Sequence, residues 1–234
     1  MQMTNKYGIP DSFLNFLAAS KYSRGDADIS VTQLIDSPRV RLLREAHEEE
    51  IEFDLSDRIW SLFGTAVHQV LESSETSEKV ITEERIFAEI NGWKISGAID
   101  VQEDVDGLIH IVDYKVTSVY SILGGTKLEW ELQQNVYAHL IRLVKGRKIG
   151  SIKICAIVRD WSRRDATFKP DYPDAPVCMV DIEVWPAEKA EAYVKERITL
   201  HQEAQVAWDT DEANFLCSDK ERWMKQTQFA VMKT

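Results

Sequence analysis

The sequence predicts an α/β protein in which helices flank a central mixed β-sheet. Two observations carry this prediction. Three strand-like runs follow one another in the middle of the chain, after a helix with a clear apolar face. Helices and strands alternate in the rest of the chain. With 234 residues, 44% of them hydrophobic and 29% charged, the chain has the composition of a soluble globular protein and enough length for a substantial core.

The chain is expected to form a single domain with three parts. Residues 1–55 are predicted as an N-terminal helical arm, residues 56–208 as the core and residues 209–234 as a weakly patterned C-terminal tail. Within the arm, Pro38 is expected to open a helix, because proline suits the first helical turn. No internal repeat, low-complexity tract or linker divides the sequence, which favours one domain.

The first helix of the core is predicted over residues 56–74, where apolar residues recur at the spacing of one helical face. These residues are Ile59, Leu62, Phe63, Ala66, Val67, Val70 and Leu71. His68 lies beside this stripe, four residues after Gly64, and a neutral imidazole there could supply a nitrogen ligand to a metal. The alternative for His68 is a histidine at the edge of the core that binds a backbone carbonyl.

Three strands are predicted after this helix, because β-branched residues alternate with polar ones over residues 79–90, 93–101 and 108–117. The elements that follow are a helix, a buried strand, a loop rich in Pro, Asp and Arg, a further strand and a long helix. Their predicted bounds are 128–143, 152–158, 161–176, 177–185 and 186–208. This order gives a mixed sheet with a hairpin near its centre.

Asp106-Gly107 is the strongest hairpin signal in the sequence, because both central residues of a type I′ turn need a positive φ. With a two-residue loop, counting outward places Asp100 directly opposite Asp113. Their Cβ atoms are then expected roughly 4.5–5.5 Å apart on one face. Lys115 lies two residues beyond Asp113 and therefore points the same way.

Two facing carboxylates repel each other and destabilise a sheet. A divalent cation removes this cost, because hard cations bind several converging carboxylate oxygens. Two acids beside a lysine suit metal-assisted hydrolysis of a phosphodiester, in which the lysine can orient or deprotonate the attacking water. Glu84 of the preceding strand could also point into this site, although its face is undetermined. The alternative is a solvated hairpin with ordinary surface acids, and a shift of one residue in register would turn one acid away.

Two further groups of side chains are candidates for contact with nucleic acid. Gln133 and Tyr137 are four residues apart on one helical face, where they could bind a phosphate or a base. Trp161 with Arg163 and Arg164 could form a stacking platform beside phosphate-binding charge. The alternatives are a solvated polar pair on the helix and an exposed loop held by one anchoring Trp.

The net charge of −11 argues at first against a nucleic-acid partner. The distribution of charge reduces this objection, because residues 139–169 carry nine basic and only two acidic side chains. The basic residues are Arg142, Lys145, Arg147, Lys148, Lys153, Arg159, Arg163, Arg164 and Lys169. A local charge of +7 on an acidic body is compatible with phosphate binding on one face. The alternative is a set of scattered, solvated charges.

Neither a membrane span nor a secretory signal is predicted, because no run approaches about 18 uncharged apolar residues and the first residues lead into no apolar segment. Cys155, Cys178 and Cys217 are far apart and form no Cys-x-x-Cys pair. Reduced thiols in the cytoplasm, without a structural zinc site, are therefore expected.

These elements together resemble the PD-(D/E)XK nuclease superfamily, and its RecB-like clade in particular. The clade is marked by a Gly-x-x-x-His helix, a Gly-x-x-Asp strand, an Asp-x-Lys strand and a Gln-x-x-x-Tyr helix. In this sequence the four motifs are Gly64 to His68, Gly97 to Asp100, Asp113 to Lys115, and Gln133 to Tyr137. The resemblance covers residues 64–137 and implies a restriction-endonuclease-like nuclease fold.

By this resemblance, His68, Asp100 and Asp113 would hold Mg²⁺ or Mn²⁺. The backbone carbonyl of Tyr114 would be a further ligand. Lys115 would be the catalytic lysine, acting with the two aspartates.

Some relatives also bind an iron–sulfur cluster, with one Cys before a proline in an N-terminal motif and three C-terminal Cys. The segment from Ser30 to Arg39 looks like that motif, but it has Ser37 where the Cys would stand. Cys178 and Cys217 lack the close spacing of the other ligands. No cluster is therefore expected.

The resemblance favours a metal-dependent deoxyribonuclease, and an exonuclease more than a sequence-specific endonuclease. Gln133 and Tyr137 would help to bind DNA. Expected partners are single- or double-stranded DNA ends and a recombination or replication protein, whereas the oligomeric state is not determined by the sequence. Residues 217–223 are similar to tails of phage-encoded members, which suggests the cytoplasm of a bacterium or of a phage-infected host. The alternative is a catalytically silent nuclease fold that binds DNA or a partner in a recombination complex.

Overall fold

The computed structural model describes residues 2–19, 24–72, 77, 79–210, 217–219, 221–222 and 224–225. The strands are β1 (Gln2–Thr4), β2 (Ile29–Ser30), β3 (Glu52–Asp54), β4 (Val80–Ile90), β5 (Trp93–Val105), β6 (Leu108–Thr117), β7 (Lys148–Val158) and β8 (Val177–Ile182). The helices are α1 (Asp11–Ala19), α2 (Val31–Ile35), α3 (Pro38–Ala46), α4 (Ile59–Glu72), α5 (Tyr120–Leu123), α6 (Leu128–Lys145), α7 (Arg163–Phe168) and α8 (Ala187–Thr210).

The main sheet has six strands and is organised around β5. β4 runs antiparallel along most of one edge of β5. The other edge pairs with the two residues of β2 in parallel and then with β6 in antiparallel orientation. β7 joins β6 in parallel, and β8 joins β7 antiparallel. The prediction of a mixed α/β fold with a central mixed sheet flanked by helices is therefore confirmed.

The hairpin between β5 and β6 has the predicted turn and register. Asp106 and Gly107 have φ values of 52° and 83°, as a type I′ turn requires. Val105 pairs with Leu108, and the ladder continues outward to the pair Val101–Val112. Asp100 and Asp113 occupy the next step, where the two strands begin to separate. The turn therefore determines where the two acids lie along the sheet.

The core forms where α6 packs on the sheet and α2 and α8 pack on α6. Its fully buried apolar residues include Ile29, Leu34, Ile95, Ile99, Ile111, Leu140, Ile141, Ile152, Ile154 and Ile198. α6 also provides the crossover between the parallel strands β6 and β7, which need such a connection. The same helix consequently lies over the strand that carries Asp113 and Lys115.

The predicted boundaries differ from the structure in a few places. Residues 161–176, predicted as a loop, contain α7, which begins after Ser162, whose side chain caps it. The helix predicted over residues 56–74 is a 3-10 turn, Leu55–Arg58, followed by α4, and residues 73 and 74 lie outside the described residues. Among the described helices, none combines the length and the apolar character needed to cross a membrane.

Candidate active site

His68, Glu83 and Asp100 converge on one point from three different elements. Their ligand atoms all lie within 4.8 Å of one another. His68 Nδ1 is 3.3 Å from Glu83 Oε1 and 3.5 Å from Asp100 Oδ2. The three residues come from α4, β4 and β5, so packing of the helix against the sheet assembles the group.

The backbone of Tyr114 lies between His68 and Asp100. Its amide donates a 2.8 Å hydrogen bond to Asp100 Oδ2, and its carbonyl oxygen accepts one of 3.1 Å from His68 Nε2. The Tyr114 ring also meets the imidazole edge-on, with the ring centroids 6.2 Å apart. The Tyr114 carbonyl, which the family resemblance names as a ligand, therefore lies beside the convergent group.

Asp113 and Lys115 form a buried ion pair next to this group. Asp113 is 2% exposed, and its Oδ2 lies 2.7 Å from Lys115 Nζ. Its other oxygen, Oδ1, accepts a 2.7 Å hydrogen bond from Gln134 Nε2 on α6. Asp113 is thus held by a lysine and an amide and is not part of the three-residue donor group formed by His68 and the acids of β4 and β5.

Glu83 and Gln134 are site residues that the sequence reasoning did not select. For Glu83, a signal exists in Asn91-Gly92, a second two-residue turn with φ values of 49° and 77°. Ile90 pairs with Trp93 across that turn, and counting outward brings Glu83 opposite Asp100. The ladder is interrupted at Glu83, whose own φ is 49°. For Gln134, no comparable signal exists, because its contact with Asp113 depends on how α6 packs on the sheet.

Glu84, whose face the sequence left undetermined, points away from the convergent group. Its carboxylate accepts a 2.7 Å hydrogen bond from Gln102 Nε2 and pairs with Lys145 at the end of α6. Lys145 also donates to Gln102 Oε1 at 3.0 Å. Glu84 therefore has a structural set of partners.

Burial and negative charge dominate the electrostatics of the site. Burial, followed by the nearby charge of Asp113, raises the pKa of Asp100 to about 7. The hydrogen bond with Glu83 raises the pKa of His68, against the opposing effect of burial. Burial alone would lower the pKa of Lys115, but the charge and contact of Asp113 outweigh it and raise that pKa. The neighbouring acids thus favour the protonated forms of the histidine and the lysine.

This donor set fits a hard divalent cation. Its two carboxylates suit Mg²⁺ or Mn²⁺, as would the Tyr114 carbonyl beside them, and the imidazole adds one nitrogen donor. Burial, and then the charge of Asp113, raise the pKa of Asp100 and so disfavour its anionic form, which a bound cation would favour. His68, Glu83 and Asp100 are the residues that could hold such an ion.

Gln133 and Tyr137 lie in the interface between α6 and the sheet. Gln133 Nε2 donates a 2.9 Å hydrogen bond to Tyr137 Oη, and the two residues are 8% and 5% exposed. A Cβ atom on Gly97 would lie 2.7 Å from Tyr137 Cε1, so the glycine is required for this close approach. The structure therefore assigns the pair a packing role, and their contact with DNA remains a prediction.

Trp161, Arg163 and Arg164 do not form one exposed platform of ring and charge. Trp161 is half-buried, packs in a small cluster with Val158 and Tyr172, and its Nε1 donates a 2.8 Å hydrogen bond to a backbone carbonyl. Arg163 and Arg164 are exposed at the start of α7. Of the two interpretations of Trp161, the structure agrees with the anchoring one.

Ser37 occupies the position where some relatives carry a cluster-binding Cys. Its Oγ lies 3.5 Å from Cys217 Sγ, although the two residues are 180 positions apart. Cys155 and Cys178 lie on the neighbouring strands β7 and β8, and all three cysteines are free. The absence of an iron–sulfur cluster remains a prediction from the ligand set.

Comparison with known proteins identifies solved structures with a backbone similar to that of this chain, but no protein family that its sequence matches. No family model matches the chain, and no curated protein matches it. The solved structure of SSO0001 aligns with a TM-score of 0.54 at 20% identity, covering 81% of this chain and 85% of that one. A protein from Eubacterium rectale, described as a candidate exonuclease, aligns with a TM-score of 0.35 at 12% identity over 82% of this chain and 71% of its own.

The first of these similarities shows a shared fold, and the second has too low a TM-score to carry an argument. Fold alone does not determine activity, because one fold supports many functions. The chemistry therefore has to be argued from the side chains of the site.

Proposed function

We propose that the protein is a metal-dependent deoxyribonuclease that degrades DNA from its ends. The observation that carries the proposal is the convergence of His68, Glu83 and Asp100 beside the Tyr114 carbonyl, with the ammonium group of Lys115 close by. This combination of hard ligands and a lysine suits hydrolysis of a phosphodiester. The preference for DNA ends comes from the resemblance to the RecB-like clade, which is an analogy.

A divalent cation bound by these residues would polarise a phosphate oxygen and lower the pKa of a bound water. His68, Glu83 and Asp100 would hold it, with the Tyr114 carbonyl as a further ligand. Glu83 thereby joins the ligands inferred from the resemblance. Asp113, whose two oxygens already bind Lys115 and Gln134, acts in this proposal mainly by fixing the lysine.

Lys115 acts as a cation in this proposal. The charge and contact of Asp113 raise the pKa of this lysine, which favours the protonated form. The ammonium group can orient the attacking water and offset charge that develops on the phosphate oxygens. Of the two roles considered for this lysine, orientation with charge stabilisation is therefore preferred to deprotonation.

The rival function is a nuclease fold without catalytic activity that binds DNA or a partner protein. End-labelled linear DNA incubated with Mn²⁺ separates the two, when wild type is compared with Lys115→Ala. Removal of the ammonium group should lower the cleavage rate at least about a hundredfold, as loss of a group that stabilises transition-state charge does. Lys153→Ala is the matched control, because Lys153 lies on β7 and pairs with Asp181 outside the site.

Two further substrates define the reaction. DNA with both ends blocked should resist cleavage if the enzyme needs an end, whereas shorter fragments from it would indicate internal cutting. An RNA strand of the same sequence should be a poor substrate. If wild type and Lys115→Ala both leave DNA and RNA intact with Mg²⁺, Mn²⁺ and Co²⁺, the binding function replaces the enzymatic one.

A further inference from the structure

An exposed tryptophan on α4 carries an arginine against its ring. Trp60 is 55% exposed, and Arg159 Cζ lies 4.5 Å from the centroid of its ring. Arg159 follows the last residue of β7 and is itself exposed. Large aromatic rings that remain open to solvent beside a guanidinium are typical of surfaces that bind nucleic acid.

Both elements that carry this pair also lead to the candidate active site. Trp60 precedes His68 by eight residues on α4, which corresponds to about 12 Å along the helix axis. Arg159 N donates a 2.9 Å hydrogen bond to the carbonyl of Thr117, which lies two residues beyond Lys115 on β6. At roughly 3.4 Å per nucleotide of a stacked strand, a distance of about 12 Å spans three to four nucleotides.

Arg159 and the two arginines that follow it in the sequence have no acidic partner among the described residues. Arg159, Arg163 and Arg164 are exposed and form no ion pair there. Of the two acids next to them in the sequence, Asp160 accepts a 2.7 Å hydrogen bond from the amide of Val119, and Asp165 pairs with Lys169. An anion can therefore reach this group of cations without displacing a carboxylate.

The other half of the basic segment behaves differently. Lys145, Arg147 and Lys153 pair with Glu84, Asp104 and Asp181 respectively. Three of the five basic residues before Arg159 are therefore neutralised by an acid, whereas no acid in the described part of the chain pairs with Arg159, Arg163 or Arg164. This asymmetry gives the Trp60 surface charge complementarity to a phosphate backbone.

We infer that Trp60 and Arg159 form a subsite for a single-stranded segment of the DNA substrate, with a base stacked on the indole and a phosphate bound by the guanidinium. Stacking on an aromatic ring tolerates every base, and a guanidinium binds phosphate through two parallel hydrogen bonds. The inference rests on the proposed function and deepens it. It specifies that the substrate is single-stranded where it binds, a few nucleotides from the cleavage site.

Binding of a fluorescent oligo-dT of 12 nucleotides, measured by anisotropy in EDTA, tests this subsite without cleavage. Trp60→Ala should weaken binding about tenfold, since one base stacked on an aromatic side chain contributes about 1–3 kcal/mol. Trp60→Phe should restore most of the affinity, because a ring remains. Arg159→Ala should weaken binding and reduce its salt dependence by about one counterion, whereas Arg159→Lys should keep the salt dependence but lose affinity.

Two exposed residues elsewhere provide matched controls. Tyr7→Ala removes a ring that is 77% exposed, and Arg44→Ala removes a cation that pairs with Asp36 on the surface. Both controls should bind the oligonucleotide as wild type does. Equal affinity of wild type, Trp60→Ala and Arg159→Ala would overturn the subsite. The subsite would also be overturned if Trp60→Ala bound the oligonucleotide as tightly as wild type but eluted at a different volume in size-exclusion chromatography. The ring would then serve a contact between protein molecules.

Failure of this subsite and failure of the nuclease proposal give different results. If binding depends on Trp60 and no DNA is cleaved with any divalent ion, the subsite stands and the enzymatic proposal fails. If DNA is cleaved and Trp60→Ala leaves both the anisotropy and the KM for single-stranded DNA unchanged, the subsite fails and the enzymatic proposal stands.

Discussion

Glu83 of β4 lies opposite Asp100 of β5, at the step where the ladder between the two strands is interrupted. The φ of Glu83 is 49°, in the left-handed region that a non-glycine residue adopts at a cost. Both carboxylates reach the same imidazole nitrogen of His68. The strained backbone at this position therefore carries a carboxylate that faces the candidate site, and such strain is common where function constrains the chain.

The strain and the ligand at Glu83 can be separated by two substitutions. Glu83→Gly and Glu83→Ala both remove the carboxylate and should weaken Mn²⁺ binding to the same degree, measured by calorimetry. Glycine also relieves the backbone strain, so Glu83→Gly should be more stable than Glu83→Ala by about 1 kcal/mol in urea unfolding. Equal Mn²⁺ affinity of wild type and both variants would remove Glu83 from the site.

Asp100 is expected to reduce the stability of the metal-free protein above neutral pH. Its pKa is about 7 in the folded state and 3.8 for the unperturbed group, so folding favours the protonated carboxyl. The contribution of this group to the free energy of unfolding is therefore fully present below pH 3.8 and is lost as the pH rises through 7. Asp100→Asn does not titrate. In EDTA it should therefore be more stable than wild type at pH 8, by at most about 4 kcal/mol, with little difference at pH 4.

The measurement is urea unfolding of both proteins in EDTA at several pH values. The same substitution should abolish Mn²⁺ binding, since Asp100 is a central donor of the convergent group. A variant that is less stable than wild type at every pH would show that the Asp100 carboxylate contributes structural hydrogen bonds alone.

His201 is expected to give stability a pH dependence of the opposite sign. It is fully buried, its Nε2 donates to the Leu34 carbonyl at 3.1 Å, and its Nδ1 accepts from Arg41 Nε at 3.2 Å. Burial, and then the charges of Arg197 and Arg41, lower its pKa to about 4. Folding therefore favours the neutral imidazole. Its contribution to the free energy of unfolding is fully present above pH 6.5 and is lost as the pH falls through 4.

The loss expected from His201 is about 3 kcal/mol between pH 6.5 and 4. His201→Gln keeps a side chain of similar length without a titrating ring, and its unfolding free energy should depend less on pH over this interval. If the slopes of wild type and variant coincide, another group must titrate in place of His201.

The close contact between Gly97 and Tyr137 should make position 97 intolerant of larger residues. A Cβ atom there would lie 2.7 Å from Tyr137 Cε1 and 2.9 Å from Val31 Cγ2. Gly97→Ala should destabilise the fold by about 1–3 kcal/mol, as overpacking does. Tyr137→Ala removes one of the two obstructing side chains, so the Gly97→Ala substitution should cost less in that background. Additive effects in this double-mutant cycle would contradict the contact.

Much of the fold follows from local signals in the sequence, and the central hairpin illustrates why. Asp106-Gly107 specifies a turn, the turn specifies the register, and the register locates Asp100 and Asp113 along the sheet. Asn91-Gly92 carries equivalent information for β4 and locates Glu83. A two-residue turn thus fixes the strand register, so that the residue opposite a given position can be counted from the sequence.

The remaining features depend on tertiary packing. Trp60 and Arg159 are 99 positions apart, and Gln134 reaches Asp113 only because α6 crosses the sheet at that point. No periodicity in the sequence encodes such contacts. α7 is six residues long, and its Ser162 cap is a weak signal within a segment rich in Pro, Asp and Arg. Trp161 could be assigned as an anchor only after its hydrogen bond and its neighbours were known.

Binding of Mn²⁺, followed by electron paramagnetic resonance as the ion is titrated into the metal-free protein, tests the central claim most directly. The account predicts one bound ion per chain in wild type, and loss of that ion in both His68→Ala and Asp100→Asn. Lys115→Ala should retain the ion, because the lysine is not a ligand. A wild-type protein that binds no Mn²⁺ at millimolar concentration, or variants that bind it as tightly as wild type does, would contradict the account.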